Sequence, residues 1–306
     1  MRVRISPVVA LFTIASQLFA SPSFARLDAI DPNALYPEGP LWWHSKLYYV
    51  EYAGNDVKVW NGKSISHFWK RAHCGPLGLL PFGDRDILVA CYDGNSLVEL
   101  DQNGKEVRTI SKDDRGAPFV GPNDLTSDGR GGVYFSASGV YDIKAPITGE
   151  VLHITPDAKS VSVVADTIDY SNGLTVSKDG KHLLVAEMLA GRILSFPIER
   201  NGSLGARRVW ARLQDLAPPT PHEDAYNGPD GVKLGPDGNY YIAQNGSGRI
   251  LVVDDDRKLV RIIEVGTRDV ANVAFGPASA GLVVYITGTF DQWKPPYTGA
   301  VYRWTP

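Results

Sequence analysis

Residues 230–245 read DGVKLGPDGNYYIAQN, and residues 172–187 read NGLTVSKDGKHLLVAE, which is a second copy of the same pattern. Each copy is a short apolar strand, a polar turn with an Asp-Gly pair and a second apolar strand, as in an antiparallel hairpin. Further copies start at residues 38, 77, 123 and 272, so the six starts are 39, 46, 49, 58 and 42 residues apart. A period of roughly 40 to 50 residues with about four strands per repeat is typical of β-propeller blades. We therefore predict an all-β fold, a six-bladed β-propeller with about four antiparallel strands per blade.

The first 25 residues differ from the rest of the chain. Arg2 and Arg4 precede an apolar stretch that runs to Ala20, and the small residues Ser23 and Ala25 follow. This order is typical of a secretory signal peptide, so we expect residues 1–25 to be removed and the product to be periplasmic or secreted. Residues 26–306 then form one propeller domain. We expect residues 26–36 and 299–306 to complete the last blade together.

Composition and charge exclude several classes of partner. The chain has 31 Lys+Arg and 34 Asp+Glu, a formal net charge of -3, and its basic residues are not clustered. A nucleic-acid or anionic membrane surface needs a basic patch, so we expect neither nucleic acid binding nor membrane insertion after signal cleavage. We expect a monomer that acts on a small molecule. Cys74 and Cys91 lie in a chain expected to be exported, where either a disulfide or two buried thiols is possible.

The residue that opens each repeat is the candidate for the functional site. The first strand of every propeller blade lines the central channel, so these residues are brought to one mouth of that channel. They are Glu38, Leu77, Asn123, Asn172, Asp230 and Asn272. Five of the six are carboxylates or carboxamides, and such groups need partners when they are gathered on one buried axis. Oxygen donors with no His or Cys among them suit a hard divalent cation, with Ca²⁺ expected first and Mg²⁺, Mn²⁺ or Zn²⁺ as alternatives.

The chain also resembles the senescence marker protein/gluconolactonase/luciferin-regenerating enzyme family. The motifs that carry the resemblance share the order and spacing of that family's motifs. They are Glu38-Gly39-Pro40, Gly121-Pro122-Asn123-Asp124, residues 149–166, Ser171-Asn172-Gly173-Leu174, Pro229-Asp230-Gly231-Val232 and residues 272–276. The resemblance implies a six-bladed propeller that acts as a metal-dependent lactonase, with a calcium-type ion as its cofactor.

The resemblance also implies roles for individual residues. The metal ligands fall on Glu38, Asn172 and Asp230, and Asn123 is added by related propeller hydrolases and also binds substrate. Asp230 is the expected catalytic base or nucleophile, with the metal as a Lewis acid that polarises the lactone. Asn272 is expected to contact the metal ligands rather than the metal itself.

Two further residues are candidates for substrate contacts. Glu187 ends an inner strand and could either reach the pocket or pair with Arg192, and His222 lies in the Pro-rich loop before Asp230. Some sugar-lactone members of the family place an arginine two residues before the substrate-binding asparagine that matches Asn123, and here that position is Gly121.

The sequence leaves more than one function open. A sugar lactone such as glucono-1,5-lactone is the first substrate expected. One alternative is an aryl ester or organophosphate hydrolase on the same metal site, because a Lewis acid also serves a phosphoryl oxygen. The other is an exported propeller that binds a ligand without catalysis.

Overall fold

The computed structural model describes residues 25–221 and 223–306. The predicted signal peptide, residues 1–25, therefore lies outside the described residues except for Ala25. Among the described residues, no helix is long and apolar enough to cross a membrane. Almost all regular structure in this part of the chain is β-strand, with one four-residue helix, α1 (Leu213–Leu216), and one 3-10 turn, Ala278–Ala280.

Within the described residues, 24 strands form six four-stranded antiparallel sheets, which confirms the predicted fold. The first strand, β1 (Arg26–Leu35), belongs to the last blade. Blade 1 contains β2 (Pro37–Trp43), β3 (Lys46–Glu51), β4 (Asp56–Trp60) and β5 (Ile65–Lys70). Blade 2 contains β6 (Pro76–Phe82), β7 (Asp86–Cys91), β8 (Ser96–Leu100) and β9 (Glu106–Ile110). Blade 3 contains β10 (Pro122–Ser127), β11 (Val133–Ala137), β12 (Gly149–Ile154) and β13 (Val161–Ile168).

The second half of the chain repeats this arrangement. Blade 4 contains β14 (Ser171–Val176), β15 (His182–Glu187), β16 (Arg192–Pro197) and β17 (Arg208–Arg212). Blade 5 contains β18 (Pro229–Leu234), β19 (Tyr240–Gln244), β20 (Arg249–Val253) and β21 (Leu259–Glu264). Blade 6 contains β22 (Asp269–Phe275), β23 (Val284–Thr289) and β24 (Thr298–Thr305), and β1 is its outermost strand.

The ring closes by pairing the two ends of the described chain. Strand β1 runs antiparallel to β24, with Arg26 opposite Thr305 and Leu35 opposite Thr298. The expected closure by residues 26–36 and 299–306 is thus confirmed. Since the last blade draws strands from both ends of the chain, unfolding it requires breaking the ring.

The core lies between neighbouring blades. The second strand of each blade is buried on both faces between adjacent sheets, and β7, β11 and β23 read as continuous apolar or small-residue runs for that reason. Between blades 2 and 3, Leu88, Leu125 and Phe135 pack in one cluster. Each such side chain contributes about 1.5 to 3 kcal/mol by leaving water. The outermost strands are largely exposed, as in β9, which explains their weaker sequence signal.

A disulfide joins Cys74 to Cys91, settling the choice that the sequence left open. It connects the end of β7 to the loop that enters β6. Both sulfurs are buried in the cluster between blades 1 and 2. The bridge therefore fixes the backbone directly beside the channel position Leu77.

Candidate active site at the mouth of the central channel

The six innermost strands, β2, β6, β10, β14, β18 and β22, contact one another in a closed ring. The residue near the start of each strand faces a cavity of about 50 Å³ inside that ring. These six residues are Glu38, Leu77, Asn123, Asn172, Asp230 and Ala271. Five of the positions are those that the repeat register singles out. Four of them carry a carboxylate or a carboxamide, so the cavity is lined by oxygen donors.

The sixth repeat is shifted by one residue from its predicted register. Val273 pairs with Ile286 as Val232 pairs with Ile242, so Ala271 occupies the place equivalent to Asp230. The prediction that Asn272 opens this repeat at the channel was wrong. The strand irregularity in β22 falls between Val270 and Asn272, and the sequence alone does not show on which side of Asn272 it lies.

Glycine is what lets the inner strands approach one another. Gly39, Gly78, Gly173 and Gly231 each follow a cavity residue. A Cβ at Gly173 would lie 2.3 Å from the carbonyl oxygen of Asp230, and one at Gly78 would lie 2.3 Å from that of Asn123. No other residue type fits at such distances, so these glycines keep the ring narrow and the cavity small.

Two of the carboxylates that line the cavity, those of Glu38 and Asp230, accept few hydrogen bonds. Oε2 of Glu38 accepts the backbone N–H of Gly39 at 2.7 Å, and Oδ2 of Asp230 accepts Nδ2 of Asn245 at 3.4 Å. Burial raises the pKa of Glu38 to about 8, with repulsion from Asp124 adding to it and a hydrogen bond from Asn272 opposing it. Burial and then the Glu38 charge raise the pKa of Asp230 well above its usual range. Two buried acids this close call for a counter-charge.

Oδ1 of Asn172 and Oδ1 of Asp230 are buried and have no hydrogen-bond partner among the described residues. Nδ2 of Asn172 donates to Sδ of Met188 at 3.2 Å, a weak acceptor. Buried polar atoms without a partner are uncommon in proteins, and an unseen ion or water is one of the standard explanations.

Asn123 is oriented more firmly. Its Nδ2 donates to Oγ of Ser138 at 3.1 Å, while Oγ of Ser138 donates its own proton to the Ser171 carbonyl at 2.6 Å. Because that hydroxyl proton is used, Ser138 can only accept from Asn123, which fixes which edge of the amide carries the nitrogen.

These donors fit a hard cation. Among the described residues, no group of three or more His, Cys, Asp or Glu side chains is arranged to hold a metal ion. Half of the candidate oxygen donors here come from amides instead. A site with two carboxylates, amide oxygens and two unpartnered oxygens suits Ca²⁺ or a similar ion. The residues that would hold it are Glu38, Asn123, Asn172 and Asp230.

A wider cavity of about 400 Å³ adjoins the inner one and shares Tyr36, Tyr141 and Tyr170 with it. We call it the tyrosine cup. Its six tyrosines are Tyr36, Tyr52, Tyr92, Tyr141, Tyr170 and Tyr297. Leu77, Gln292 and Trp293 complete the lining. A molecule that reaches the inner cavity through the cup passes between these aromatic rings.

A match to a known protein family covers most of the chain. The model of the SMP-30/Gluconolactonase/LRE-like region matches residues 36–289. The chain belongs to this family. The resemblance seen in the sequence is therefore confirmed.

The curated proteins that are similar to this chain include lactonases. Lactonase drp35 of Staphylococcus aureus (strain MRSA252) is 28% identical over 188 residues, which is 60% of this chain and 54% of that protein. Lactonase drp35 of Staphylococcus haemolyticus (strain JCSC1435) is 28% identical over 171 residues, 54% of this chain and 49% of that protein. The matched part of the chain thus spans about half the length of these curated relatives.

Solved structures share the fold. A luciferin-regenerating enzyme superposes with a TM-score of 0.75 at 19% identity, over 92% of this chain and 96% of that one. A gluconolactonase from Xanthomonas campestris gives 0.74 at 22% identity, over 92% and 89%. A calcium-binding protein, regucalcin, from Agrobacterium tumefaciens gives 0.70 at 17%, over 90% and 92%.

One predicted substrate contact, Glu187, is not brought into this site. One carboxylate oxygen of Glu187 pairs with Arg192, and the other accepts the backbone N–H of Asp169 at 3.0 Å. Both oxygens are thus used inside blade 4, and Glu187 does not line either cavity, which corrects its assignment. The ion pair with Arg192 was the alternative interpretation. His222 lies outside the described residues.

Several residues that line the two cavities were not predicted from the sequence. Tyr52, Tyr92, Met188 and Asn245 each immediately follow the second strand of their blade. The repeat register contains this signal, since the end of the second strand pairs with the start of the first. Asp269 and Gln292 of blade 6 were also missed, and the Gln292 backbone N–H donates to Oδ2 of Asp269 at 2.7 Å.

Proposed function

We propose that this chain is a lactonase that depends on a divalent cation, with Ca²⁺ as the ion of first choice. The observation that carries the proposal is the group of Glu38, Asn172 and Asp230 around one small cavity, with two buried oxygens left without a partner. The lactonases among its curated relatives support the reaction class. Family membership and the similar structure of regucalcin, a calcium-binding protein, support the choice of cation.

The bound ion would supply electrophilic polarisation of the lactone carbonyl. The chain's own residues do the rest. Asn123, with its amide fixed by Ser138, orients the substrate. The surrounding tyrosines Tyr36 and Tyr170 keep bulk water away from the inner cavity.

Asp230 acts either as the general base that accepts a proton or as the nucleophile that forms a covalent bond to the substrate. Its Oδ2 is held by Asn245, so Oδ1 is the atom available to a reactant. As a base, Oδ1 takes a proton from the attacking water, whose oxygen bonds to the carbonyl carbon. The ring C–O bond then breaks, and the leaving oxygen receives that proton to give the hydroxy acid. As a nucleophile, Oδ1 bonds to the carbonyl carbon itself, the ring C–O bond breaks and the leaving oxygen takes a proton from water. The resulting hydroxide attacks Cγ of Asp230 in the anhydride, which releases the hydroxy acid and regenerates Asp230 with one oxygen from water.

The test is hydrolysis of a panel of lactones by the purified protein, followed as acid release with calcium and after stripping with EDTA. Glucono-1,5-lactone, the substrate that the sequence favours, is the polyhydroxylated member of the panel. An aryl ester and an aryl phosphotriester represent the alternative hydrolase. Asp230→Asn should lower kcat by at least about a hundredfold, as expected for loss of a general base. Asp256→Asn, the same chemical change on an exposed turn, is the matched control.

Activity that survives both EDTA and Asp230→Asn would overturn the proposal. Hydrolysis of the phosphotriester but of no lactone would support the alternative instead. Single turnover in ¹⁸O-labelled water separates the two roles of Asp230, because only the nucleophile becomes labelled.

We also propose that the protein acts outside the cytoplasm. The order of residues in 1–25 supports export. The Cys74–Cys91 disulfide fits an oxidising compartment. The test is N-terminal sequencing of the protein from the exported fraction, which should begin at Arg26. Recovery of the whole protein inside the cytoplasm with Met1 intact would contradict it.

A further inference from the structure

Most hydroxyl groups of the tyrosine cup are hydrogen-bonded within the protein. Five of its six hydroxyls donate to acceptors of the protein. Tyr36 donates to Oε1 of Gln292 at 3.2 Å, Tyr52 to Oδ1 of Asp93 at 3.1 Å and Tyr92 to the Gly139 carbonyl at 2.9 Å. Tyr141 donates to the Tyr226 carbonyl at 2.8 Å, and Tyr170 bonds the hydroxyl of Tyr92. A hydroxyl that already donates its only proton can accept from a ligand but cannot donate to one, so these five hydroxyls cannot donate to the oxygens of a polyhydroxylated ligand.

Two of these tyrosines, Tyr36 and Tyr170, have a strained backbone conformation. The residue before the innermost strand has a left-handed backbone in four consecutive blades, with φ of 53° at Tyr36, 53° at Gly75, 65° at Gly121 and 60° at Tyr170. Glycine adopts this conformation freely, whereas a bulky aromatic residue rarely does. Backbone strain of this kind persists where the side chain serves a site. The fold accepts glycine at this position, and blades 1 and 4 carry tyrosine there instead.

The cup is uncharged. Among the described residues that line it there is no Asp, Glu, Lys, Arg or His. At Gly121 a Cβ would lie 2.6 Å from the ring of Tyr92, so that ring fills the space where a longer side chain could bring a charge. Leu77 adds an apolar floor between the cup and the inner cavity. Trp293 stacks on Tyr141 with centroids 5.9 Å apart, and about half of its surface is open to solvent.

We propose that the tyrosine cup selects lactones that carry an uncharged aromatic or aliphatic ring over polyhydroxylated sugar lactones. Tyr36, Tyr170 and Trp293 are its specificity-determining residues. The apolar body of the substrate lies between their rings while its carbonyl reaches the inner cavity. This rests on the proposed lactonase function and narrows its substrate class away from glucono-1,5-lactone.

The test compares three six-membered lactones, with each rate corrected for uncatalysed hydrolysis. They are δ-valerolactone, its derivative with a phenyl group on the carbon that bears the ring oxygen, and glucono-1,5-lactone. Removing an apolar group from a fitted pocket typically costs about 10- to 200-fold in kcat/KM. We expect kcat/KM for the phenyl lactone to exceed that for each of the other two by about tenfold or more. Equal or better turnover of glucono-1,5-lactone overturns the proposal.

Substitutions in the tyrosine cup show which residues cause the preference for the phenyl lactone. Tyr170→Gly keeps a backbone-compatible residue, and it should lower kcat/KM for the phenyl lactone by about tenfold more than it lowers that for glucono-1,5-lactone. Trp293→Ala should act in the same direction. Tyr170→Phe, which keeps the ring, should retain the preference. Phe290→Ala is the matched control, since Phe290 is an exposed aromatic residue in the loop just before Trp293 but does not line the cup.

A binding measurement separates this proposal from the lactonase proposal. The lactam analogue of the phenyl lactone cannot be hydrolysed under assay conditions, and its affinity is measured by calorimetry. We expect Tyr170→Gly to weaken its binding about tenfold and Phe290→Ala to leave it unchanged. If no lactone is hydrolysed but the lactam binds with this pattern, the function fails and the cup assignment stands. If lactones are hydrolysed but Tyr170→Gly changes neither kcat/KM nor lactam binding, the cup assignment fails.

Discussion

Nζ of Lys233 lies 2.7 Å from Oδ2 and 2.9 Å from Oδ1 of Asp124, so one lysine binds both oxygens of a buried carboxylate. The two residues come from β18 and β10, and the strand between them, β14, has Gly173 at the equivalent channel position. Asn272 also donates to Oδ2 of Asp124, at 3.4 Å. The pair therefore forms a second polar layer directly beside the ring of candidate ligands, and its lysine lowers the pKa of Glu38.

The first prediction concerns this pair. Lys233→Met should lower the free energy of unfolding by about 2 to 4 kcal/mol, because it leaves the Asp124 carboxylate buried without its counter-charge. Adding Asp124→Asn should recover much of that loss, since the neutral amide no longer needs the lysine. Urea unfolding of the two single variants and the double variant measures the coupling. Additive losses would show that the pair does not act as a unit.

The second prediction concerns the candidate ligands and needs no activity assay. In EDTA, Glu38→Gln and Asp230→Asn should each raise the free energy of unfolding by about 1 to 3 kcal/mol, because each removes a buried acid next to another. With calcium present, the unaltered protein should instead have a higher free energy of unfolding than either variant. The unaltered protein should gain about 2.7 kcal/mol at an ion concentration 100 times the Kd, and the variants much less.

Thermal melts in the two buffers check this reversal. Asp256→Asn, on an exposed turn, should behave as the unaltered protein in both. Equal calcium stabilisation of Asp230→Asn and the unaltered protein would place the ion elsewhere.

The fold and most of the inner cavity were predictable because both follow from one repeated register. The hairpins at 172–187 and 230–245 fix the phase of the innermost strands, and that phase brings Asn172 and Asp230 together. The prediction from this register was wrong at Asn272, because the one-residue irregularity in β22 has no clear signal in the neighbouring sequence.

The tyrosine cup was not predictable in the same way. Tyr141, Trp293 and Tyr297 come from connections between strands, whose path depends on tertiary packing rather than on periodicity. The Lys233–Asp124 pair was missed for a related reason. A lysine in the pattern Val-Lys-Leu is usually an outward-facing strand residue, whereas here it bonds Asp124 of β10, which is distant in sequence.

The third prediction concerns the disulfide. Replacing Cys74 and Cys91 by serine should lower the free energy of unfolding by about 3 kcal/mol, because the bridge closes a loop of 17 residues in the unfolded chain. Urea unfolding with and without a reductant is the measurement. The reductant should destabilise the unaltered protein and leave the double variant unchanged. An equal response of both proteins would mean that the bridge is not formed in solution.

The fourth prediction concerns pH and Asp269, which lines the inner cavity. Burial raises its pKa to about 6, partly opposed by the Gln292 backbone N–H and by Arg268. The unfolded chain would ionise Asp269 near its usual pKa of about 4, so between about pH 4 and 6 the folded state retains a proton that the unfolded state has lost. The contribution of Asp269 to stability therefore decreases as pH rises through this window. Asp269→Asn keeps an acceptor for the Gln292 N–H and removes the titration.

Asp269 is only partly shielded from water, which reduces the effect. The free energy of unfolding of Asp269→Asn relative to that of the unaltered protein should increase by about 1 to 2 kcal/mol between pH 4 and pH 7. Urea unfolding in EDTA at both pH values gives this difference, and the shared titration of Glu38 and Asp230 cancels in it. Asp256→Asn, an exposed carboxylate changed in the same way, should show no such trend. A difference that stays constant or decreases with pH would mean that Asp269 is ionised in the folded protein throughout this range.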